Sequence, residues 1–406
     1  MVKDRESLRQ WDSAPTVWLV MGTRPEAVKM APMAIALRNA GRLRPLILAT
    51  GQHAKMVDQA LKAFSLAPDV RLTLDRADGG QAELFSQLIV QLQELANTRQ
   101  PAAIVVQGDT TSTVAGALVG FWNKIPIVHL EAGLRSFNIH APFPEEMNRR
   151  LVTQMSSLHL APTTTAADNL NAEGVSGSDI IVTGNTVVDA ILGVTNHAVE
   201  FDNPAVAEAV EAATRGQCRL LLVTVHRRES WGEPLNRVLA AIAELLVLRP
   251  DVRVMLPAHP NPAVRTAVSA ALDGRERVVV TDPLPYEQTA AVLAASSLVL
   301  SDSGGIQEEA PTFKVPVLVL RDTTERVEAI EAGSATLVGT DQARIVDTAV
   351  KLLSDPLAYA AMSAQTNPFG DGHAAERAEQ ALAWLLKMTP VRPRPFGAAA
   401  SMEEAK

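Results

Sequence analysis

Residues 17–39 read VWLVMGTRPEAVKMAPMAIALRN and contain one complete strand–turn–helix unit. The first five residues form an uninterrupted apolar run, the pattern of a strand that is buried on both faces of a parallel sheet. Gly22 permits a tight turn, and Pro25 suits the first turn of a helix. The helical pattern is clearest over Pro32–Asn39. This stretch therefore predicts a β–α unit of the kind that builds doubly wound sheets.

The same alternation of short apolar runs and longer helical patterns continues along the chain. Helical segments include Ala82–Ala96 and Asn236–Leu246. The predicted strands are Val17–Met21, Pro45–Thr50, Ala103–Gln107, Ile127–Glu131, Leu158–Pro162, Ile180–Thr183, Leu220–Val225, Arg253–Pro257, Val278–Thr281, Leu298–Ser301, Val315–Leu320 and Thr336–Val338. So many strands exceed one comfortable open sheet, and we expect two Rossmann-like domains.

The domain boundary should fall near GNTVVDAILGV, because this segment leads into a polar helical stretch. We expect an N-terminal domain over residues 1–190 and a C-terminal domain over residues 191–372. A helix over residues 373–388 should return to the first domain. Residues 389–406 lack periodicity and are expected to form a flexible tail.

Composition excludes several classes of protein. The 406 residues carry a net charge of −8, which leaves no basic surface for nucleic acid. No apolar stretch approaches the roughly 20 residues that cross a bilayer, and the charged start MVKDRESLRQWDSAP lacks a signal-peptide core. We therefore expect a cytoplasmic protein with no membrane partner. Cys218 is the single cysteine, so neither a disulfide framework nor a cysteine metal site is expected.

Ligands of open α/β sheets bind at the carboxyl ends of the strands, so polar residues directly after strands are candidates for a site. Arg24 and Lys29 follow the first strand, near a helix N-terminus that already favours anions. A solvated turn with an ordinary helix ion pair would also explain them. GTRPE matches neither a dinucleotide-binding fingerprint nor a Walker A loop.

Three carboxylates follow other strands of the first half. Asp109 comes after the third predicted strand, Glu131 ends the next one, and Glu145 lies in the loop beyond it. Carboxylates that converge on one sheet edge shift each other's pKa and can supply both a general acid and a general base. Asp109 alone could instead be a helix cap. Metal binding is the competing interpretation of the cluster, but none of its three carboxylates stands in a DxD or HxxE spacing that would support it.

The second half carries polar strand ends as well. His226 and Arg227 follow a strand in TVHRRES, and His259 follows another in AHPNP. A histidine in this position could be a structural hydrogen-bond donor. Beside arginines at a strand end, it is better interpreted as a catalytic or phosphate-facing group.

The most specific signal is LSDSGGIQEEA, in which a strand leads through a glycine turn into a helix. Backbone N–H groups of Ser303, Gly304 and Gly305 could cradle a diphosphate. Glu309, one turn into the helix, could accept ribose hydroxyls. Arg321 follows the next strand in RDTTER and strengthens this interpretation.

Taken together, these stretches resemble the non-hydrolysing UDP-N-acetylglucosamine 2-epimerases. The resemblance runs from about Val17 to Gly372 and rests on GTRPEAVKMAP, QGDTTST, HLEAGLRS, PFPEEMNR, GNTVVDA, HRRES, SDSGGIQEEAP, RDTTER and NPFGDG. It implies a GT-B fold, with two Rossmann-like doubly wound parallel-sheet domains and the active site in the cleft between them. It also implies a homodimer and an α/β enzyme that requires no metal or nicotinamide cofactor.

For the chemistry, the resemblance implies a UDP-N-acetylhexosamine substrate whose C2 proton is removed as UDP leaves. A bound 2-acetamidoglucal then takes UDP back to give the C2 epimer. By resemblance, the catalytic residues are Asp109, Glu131, Glu145, His226, Arg24 and Lys29. By the same resemblance, the residues that bind UDP are Ser303, Gly304, Gly305, Glu309, Arg227, His259 and Arg321.

One departure from the family concerns regulation. Members with a second, allosteric substrate site carry a QHR segment and a downstream arginine. Here QHR is replaced by QHA, with Ala54 at the arginine position, and Asp78 aligns with the downstream arginine. We therefore predict weak or absent activation by UDP-N-acetylglucosamine.

Three alternative functions remain open at this point. A hydrolysing epimerase would release free N-acetylmannosamine and UDP, because water rather than UDP adds to the glucal. A GT-B glycosyltransferase is disfavoured, since three strand-end carboxylates exceed what a transferase needs. A non-catalytic nucleotide-sugar sensor is disfavoured because Asp109, Glu131, Glu145 and His226 are all present.

Overall fold

The computed structural model describes residues 14–77, 79–196, 198–227 and 230–398. These residues form two compact units. Unit 1 runs to Ala190 and resumes at Phe369, and unit 2 spans Ile191–Pro368. Within the described ranges, no helix combines the length and hydropathy needed to cross a bilayer.

Unit 1 contains a seven-stranded parallel sheet in the order β3-β2-β1-β4-β5-β6-β7. Its strands are β1 Thr16–Met21, β2 Arg44–Ala49, β3 Val70–Arg71, β4 Ala103–Gln107, β5 Ile127–Leu130, β6 Leu158–Ala161 and β7 Ile180–Val182. The strand order reverses direction between β1 and β4, where open α/β sheets bind ligands. The predicted doubly wound parallel sheet is confirmed for this half.

The helices of unit 1 lie between these strands. They are α1 Arg24–Ala40, α2 Ala54–Lys62, α3 Gln81–Thr98, α4 Thr111–Trp122, α5 Glu145–Met155, α6 Thr164–Ala172 and α7 Thr186–Thr195, the last of which crosses the boundary between the units. Helix α1 begins at Arg24 with Pro25 in its first turn, and it extends well before the predicted helical segment Pro32–Asn39, with Pro32 inside it. Most of α1 is buried, so its sequence lacks the single apolar face that reveals a surface helix.

Unit 2 contains a six-stranded parallel sheet in the order β10-β9-β8-β11-β12-β13. Its strands are β8 Arg219–Thr224, β9 Val252–Pro257, β10 Val278–Thr281, β11 Leu298–Ser301, β12 Val317–Val319 and β13 Ala335–Leu337. Its helices are α8 Pro204–Thr214, α9 Glu233–Leu248, α10 Pro262–Leu272, α11 Tyr286–Ala295, α12 Gly304–Glu309, α13 Val327–Glu331, α14 Gln342–Ser354 and α15 Pro356–Ser363. The second predicted sheet is confirmed as well.

The C-terminal helix α16, Ala374–Leu385, belongs to unit 1 and packs on α1. Asp189 of α7 accepts hydrogen bonds from the first two N–H groups of this helix, at 3.2 Å from Ala374 and 2.7 Å from Ala375. An ion pair between Arg42 and the buried Glu379 ties its middle to the end of α1. The half-buried Asp189 carboxylate thus satisfies N–H groups that lack partners inside the helix.

The segment after α16 differs over part of its length from the expected flexible tail. The Phe396 N–H donates to Val182 at 2.7 Å, and Arg392 donates to Ile180 and stacks on Trp384. Strand β7 is the edge of its sheet, so its outer carbonyl groups are open to such donors. Residues 399–406 lie outside the described residues, and for them the flexible tail stays a prediction.

Candidate active site

Glu131 lies directly after β5 and is 91% buried within a set of polar side chains. Its carboxylate pairs with Lys29 of α1 and accepts hydrogen bonds from Gln107 and, at 3.2 Å, from Asn185. These donors come from α1, β4 and the start of α7, so three separate elements hold one carboxylate. The predicted residues Lys29 and Glu131 are therefore brought together.

Asp109 lies in the turn after β4, next to Glu131. A Cβ atom on Gly108 would lie only 3.6 Å from Glu131 Oε2, which shows how close the two segments approach. Arg149 of α5 donates to the Asp109 carboxylate at 2.8 Å, and Asn148 donates to its backbone carbonyl at 2.8 Å. Sequence reasoning gave Arg149 no role, although it lies in the motif PFPEEMNR that was used for the resemblance.

Glu145 and Arg24 are both half-buried, and their side chains differ from those described above in their contacts. Neither side chain makes a hydrogen bond or an ion pair with another residue that the structure describes. Glu145 is the first residue of α5 and Arg24 the first residue of α1. A carboxylate and a cation without partners among the described residues are free to contact a ligand.

Glu26, one turn before Lys29 on α1, is a buried carboxylate that sequence reasoning left without a role. Its side chain contacts Gly22, Thr23, Thr110 and Thr113. Burial raises the pKa of Glu26, and the hydrogen bonds from these residues only partly oppose that effect. The available signal was the pairing of Thr23 with a glutamate three residues later, which is a capping box.

Two buried histidines lie side by side on β5 and β6. His129 pairs with His159 in the sheet register, and its Nε2–H donates to the Gly108 carbonyl at 2.8 Å. Burial lowers the pKa of His129 to about 3 and that of His159 to about 4. Both imidazoles are therefore neutral at physiological pH, and His129 supports the turn that carries Asp109.

In unit 2, Asp302 organises the turn after β8. Its buried carboxylate accepts the backbone N–H groups of His226, at 3.1 Å, and Arg227, at 2.9 Å. His226 Nδ1 lies 3.3 Å from the same carboxylate, while 49% of the His226 side chain stays exposed. Asp302 follows β11 directly in the SDSGG motif, and sequence reasoning assigned it no role.

Three arginines of unit 2 lie around the carboxylate of Glu325. Arg227 and Arg321 bond opposite oxygens of this carboxylate at 3.1 and 2.7 Å, and Arg326 lies 3.5 Å away. Burial would raise the pKa of Glu325, but Arg326 and Arg321 outweigh it and lower the pKa to about 2. Arg326 also bonds the buried Glu308 at 2.8 Å, so three guanidinium groups meet two carboxylates and leave one net positive charge. The predicted residues Arg227 and Arg321 are thus brought together through a carboxylate that was not predicted.

The glycine turn lies beside this cluster. A Cβ atom on Gly304 would lie 3.3 Å from the guanidinium carbon of Arg326, whereas Gly305 would meet only Ser303 Oγ, at 3.8 Å. The Ser303 N–H is taken by Ser301 Oγ at 2.9 Å. The turn therefore combines small residues with a nearby cation, an arrangement that suits an anion.

Glu309 and His259 complete the predicted set in unit 2. Glu309 is mostly buried at the end of α12, where Tyr286 donates to it at 3.4 Å. His259 follows β9, accepts the Asn261 N–H at 3.1 Å and packs against Trp231 at a ring distance of 5.2 Å. These contacts involve Tyr286, Asn261 and Trp231.

The described residues contain no group of three or more histidine, cysteine, aspartate or glutamate side chains arranged to hold a metal ion. In unit 1, the carboxylates are instead bound by Lys29, Arg149 and amide donors. The sites of the two units thus differ in character: carboxylates that can exchange protons in unit 1, and cations with a glycine turn in unit 2.

Comparisons with known proteins identify the family of this chain. A family model described as UDP-N-acetylglucosamine 2-epimerase matches residues 35–383. A UDP-N-acetylglucosamine 2-epimerase of Bacillus subtilis is 41% identical over 380 residues, which cover 94% of this chain and 98% of that protein.

Solved structures give the same result. A putative UDP-N-acetylglucosamine 2-epimerase from Listeria monocytogenes matches with a TM-score of 0.87 and 39% identity, over 95% of this chain and 100% of that one. The UDP-GlcNAc 2-epimerase from Neisseria meningitidis, solved with UDP-GlcNAc bound, matches with a TM-score of 0.81 and 37% identity, over 90% of this chain and 99% of that one. The chain therefore belongs to the UDP-N-acetylglucosamine 2-epimerase family.

Proposed function

We propose that this protein interconverts UDP-N-acetylglucosamine and UDP-N-acetylmannosamine through a bound 2-acetamidoglucal. The observation that carries the proposal is the carboxylate set at one sheet edge of unit 1. There Glu131 is buried against Lys29 while Asp109 is bound by Arg149. Membership of the family and the UDP-GlcNAc bound to the Neisseria meningitidis relative support this substrate.

The reaction balances without an oxidant or an external nucleophile. In the first step, a base takes the C2 proton, the electron pair forms a C1=C2 double bond, and the bond from C1 to the UDP oxygen breaks. In the second step, that oxygen returns to C1 and a proton is delivered to the opposite face of C2. The enzyme must therefore offer acid/base groups to both faces of C2 and hold UDP in place between the steps.

Unit 1 supplies the proton-transfer groups. Asp109, Glu131 and Glu145 act together, with Glu145 the member that makes no side-chain bond to another described residue. Lys29 stabilises negative charge on Glu131, because an ammonium group strengthens hydrogen bonding to a carboxylate. Arg24 offers a second cation to the reacting sugar and phosphate.

Unit 2 holds UDP. His226 is fixed through its backbone by Asp302 while half of its side chain stays exposed, which suits a group that assists the departure of UDP. The positive cluster around Glu325 and the adjacent glycine turn suit a diphosphate. The residues that we assign to UDP are Ser303, Gly304, Gly305, Glu309, Arg227, His259 and Arg321.

Product analysis tests this function. UDP-N-acetylglucosamine and, separately, UDP-N-acetylmannosamine are incubated with the protein and resolved by anion-exchange chromatography. Both reactions should reach the same mixture of the two nucleotide sugars, with no accumulation of free sugar. Stoichiometric release of N-acetylmannosamine and UDP would show a hydrolysing enzyme instead, and an unchanged substrate would contradict both.

Weak activation by UDP-N-acetylglucosamine stays a prediction. Ala54 is the exposed first residue of α2 and offers no cation, while Asp78 lies outside the described residues. Initial rates with UDP-N-acetylmannosamine alone should therefore be substantial, and added UDP-N-acetylglucosamine should raise them little. Rates that stay negligible until UDP-N-acetylglucosamine is added would contradict the prediction.

Several further expectations also stay predictions: the homodimer, the cytoplasmic location, the position of the active site between the two domains, and the absence of a metal requirement. The metal prediction has a direct check. Activity after dialysis against a chelator should equal that of the untreated protein, and restoration of a lost activity by a divalent cation would contradict it.

A further inference from the structure

Glu26 does more than cap its own helix. Its Oε2 atom accepts the N–H groups of Gly22 and Thr23 at 2.8 and 2.7 Å and the Thr23 hydroxyl at 2.9 Å. A capping box at the start of α1 accounts for the Thr23 bonds. The Oε1 atom faces a different element, because it contacts the hydroxyl groups of Thr110 at 2.6 Å and Thr113 at 3.0 Å.

The two elements that meet at Glu26 carry proposed catalytic residues. Gly22 and Thr23 form the turn that leads into Arg24, and Lys29 follows one turn later on α1. Thr110 directly follows Asp109 and caps α4, on which Thr113 lies. One carboxyl group therefore joins the turn after β1 to the turn after β4.

The hydrogen bonds around Glu26 indicate the protonation state of its carboxyl group. The Thr113 hydroxyl has one proton and lies 2.7 Å from the Gln107 carbonyl, which can only accept. Glu26 Oε1 also lies 3.0 Å from Thr113 Oγ1, and one hydroxyl proton cannot serve both acceptors fully. A neutral Glu26 that donates to Thr113 and accepts from Thr110 satisfies every one of these contacts. Burial raises the pKa of Glu26, which agrees with a neutral acid.

We propose that Glu26, as a neutral carboxylic acid, is a positioning residue that locks the turn carrying Arg24 to the turn carrying Asp109. This inference rests on the proposed function, because Asp109 is placed for proton transfer at C2. Glu26 touches no reacting atom in this account. It acts through Asp109, so its loss should lower the rate of the chemical step and leave UDP binding by unit 2 unchanged.

The first test compares two conservative variants by kcat, KM and the dissociation constant of UDP. Glu26→Gln keeps the length of the side chain and offers N–H donors to both threonines, so kcat should stay within about twofold of the wild type. Glu26→Asp is one methylene shorter and cannot reach both turns. Its kcat should fall by about 100-fold with the UDP affinity unchanged, since a displacement of about 1 Å can cost that much.

The second test isolates the contact with α4. Thr113→Val is nearly isosteric and should lower kcat by roughly 10-fold. In the Glu26→Asp background the same change should lower kcat by less than a further twofold or so, because the contact between Glu26 and Thr113 is already lost. Glu379→Gln is the matched control: a buried glutamate on α16 that bonds Arg42 and contacts neither turn. Its kcat should equal that of the wild type.

The outcomes separate this inference from the proposed function. A wild-type protein that epimerises neither nucleotide sugar overturns both. In an active wild type, a Glu26→Gln variant that loses as much activity as Glu26→Asp overturns the neutral positioning role alone. So does full activity in both Glu26→Asp and Thr113→Val. If Glu26→Asp fails to fold by circular dichroism, Glu26→Gln and Thr113→Val decide the question.

Discussion

Arg149 is the residue that connects the proposed acid/base groups to the body of unit 1. It bonds the Asp109 carboxylate on one side and, at 3.0 Å, the fully buried Glu146 carboxylate on the other. Glu146 also accepts the Ser136 N–H at 3.0 Å. Asp109 is thus held by a guanidinium group that is itself fixed, and such support from neighbouring residues keeps a reacting group in one geometry.

The Asp109→Asn variant tests the role of this carboxylate. An amide cannot take up the C2 proton, so hydrogen exchange at C2 should fall by at least about 1,000-fold. UDP affinity should stay within about twofold, because we assign UDP to groups of unit 2. Exchange is followed by proton NMR and affinity by calorimetry. Asp168→Asn, an exposed residue of α6, is the control. Equal loss of exchange and UDP binding would show that Asp109 is structural.

The Asp302→Ala variant tests the organisation of the His226 turn. The Oδ2 atom of Asp302 accepts both backbone N–H groups, so asparagine could retain these bonds, whereas alanine removes the acceptor of both. A buried donor left without a partner costs about 1–3 kcal/mol, which corresponds to a loss of roughly 5- to 150-fold in UDP affinity. Calorimetry measures the affinity, with Asp347→Ala, exposed on α14, as the control. Unchanged affinity would contradict the assignment.

At the scale of elements, the turn after β5 depends on Gly133. Its φ is +91°, and a Cβ atom there would lie 2.1 Å from the backbone oxygen of Ala166 on α6. The backbone of Ala166 cannot move aside as the tip of a side chain can. The absence of a side chain at Gly133 therefore allows α6 to lie close to the segment that carries Glu131. Gly41, at the end of α1, has a φ of +68° but open space around it.

Substitution of these two glycines separates strain from collision. Gly41→Ala should destabilise the protein by only about 1 kcal/mol, the cost of the left-handed conformation. Gly133→Ala should cost more than about 3 kcal/mol, because the collision adds to that strain. Urea unfolding measures both free energies. Equal costs for the two variants would contradict the close contact with Ala166.

The elements differ in how far the sequence determines them. Strands such as β4 and β10 match their predicted bounds because continuous apolar runs are distinctive in buried parallel sheets. The two-residue β3 was missed, since Val70–Arg71 carries no such run. Likewise, strand-end positions indicated Asp109 and His226, whereas Glu26, Arg149 and Asp302 were missed. Their roles depend on contacts between distant segments, which spacing along the chain does not reveal.

At the scale of the whole molecule, the docking of α16 on unit 1 depends on Asp189. Burial raises the pKa of Asp189 to about 6 from an ordinary value of 3.8, even though the N–H groups of Ala375 and Ala374 oppose the shift. The folded state therefore binds the proton more tightly than the unfolded state. The resulting stability is fully present below about pH 3.8 and is lost as pH rises through about 6.

The Asp189→Asn variant should lack this contribution. The difference in free energy of unfolding, wild type minus variant, should fall by about 2.4 kcal/mol between pH 4 and pH 7, since each pKa unit corresponds to about 1.4 kcal/mol and part of the effect is already lost at pH 4. Urea unfolding followed by circular dichroism at several pH values measures it, with Asp168→Asn as the control. A difference that is constant or that rises with pH would contradict the assigned shift.

Our central proposal is that the two units divide one reaction, with acid/base carboxylates in unit 1 and cations beside a glycine turn in unit 2. The most direct test is to incubate the protein with UDP-N-acetylglucosamine in deuterated water and to follow the sugar by proton NMR. Epimerisation predicts deuterium at C2 in both UDP-N-acetylglucosamine and UDP-N-acetylmannosamine, with UDP still attached. Conversion that leaves C2 protonated, or deuterium that appears only in released N-acetylmannosamine, would contradict it.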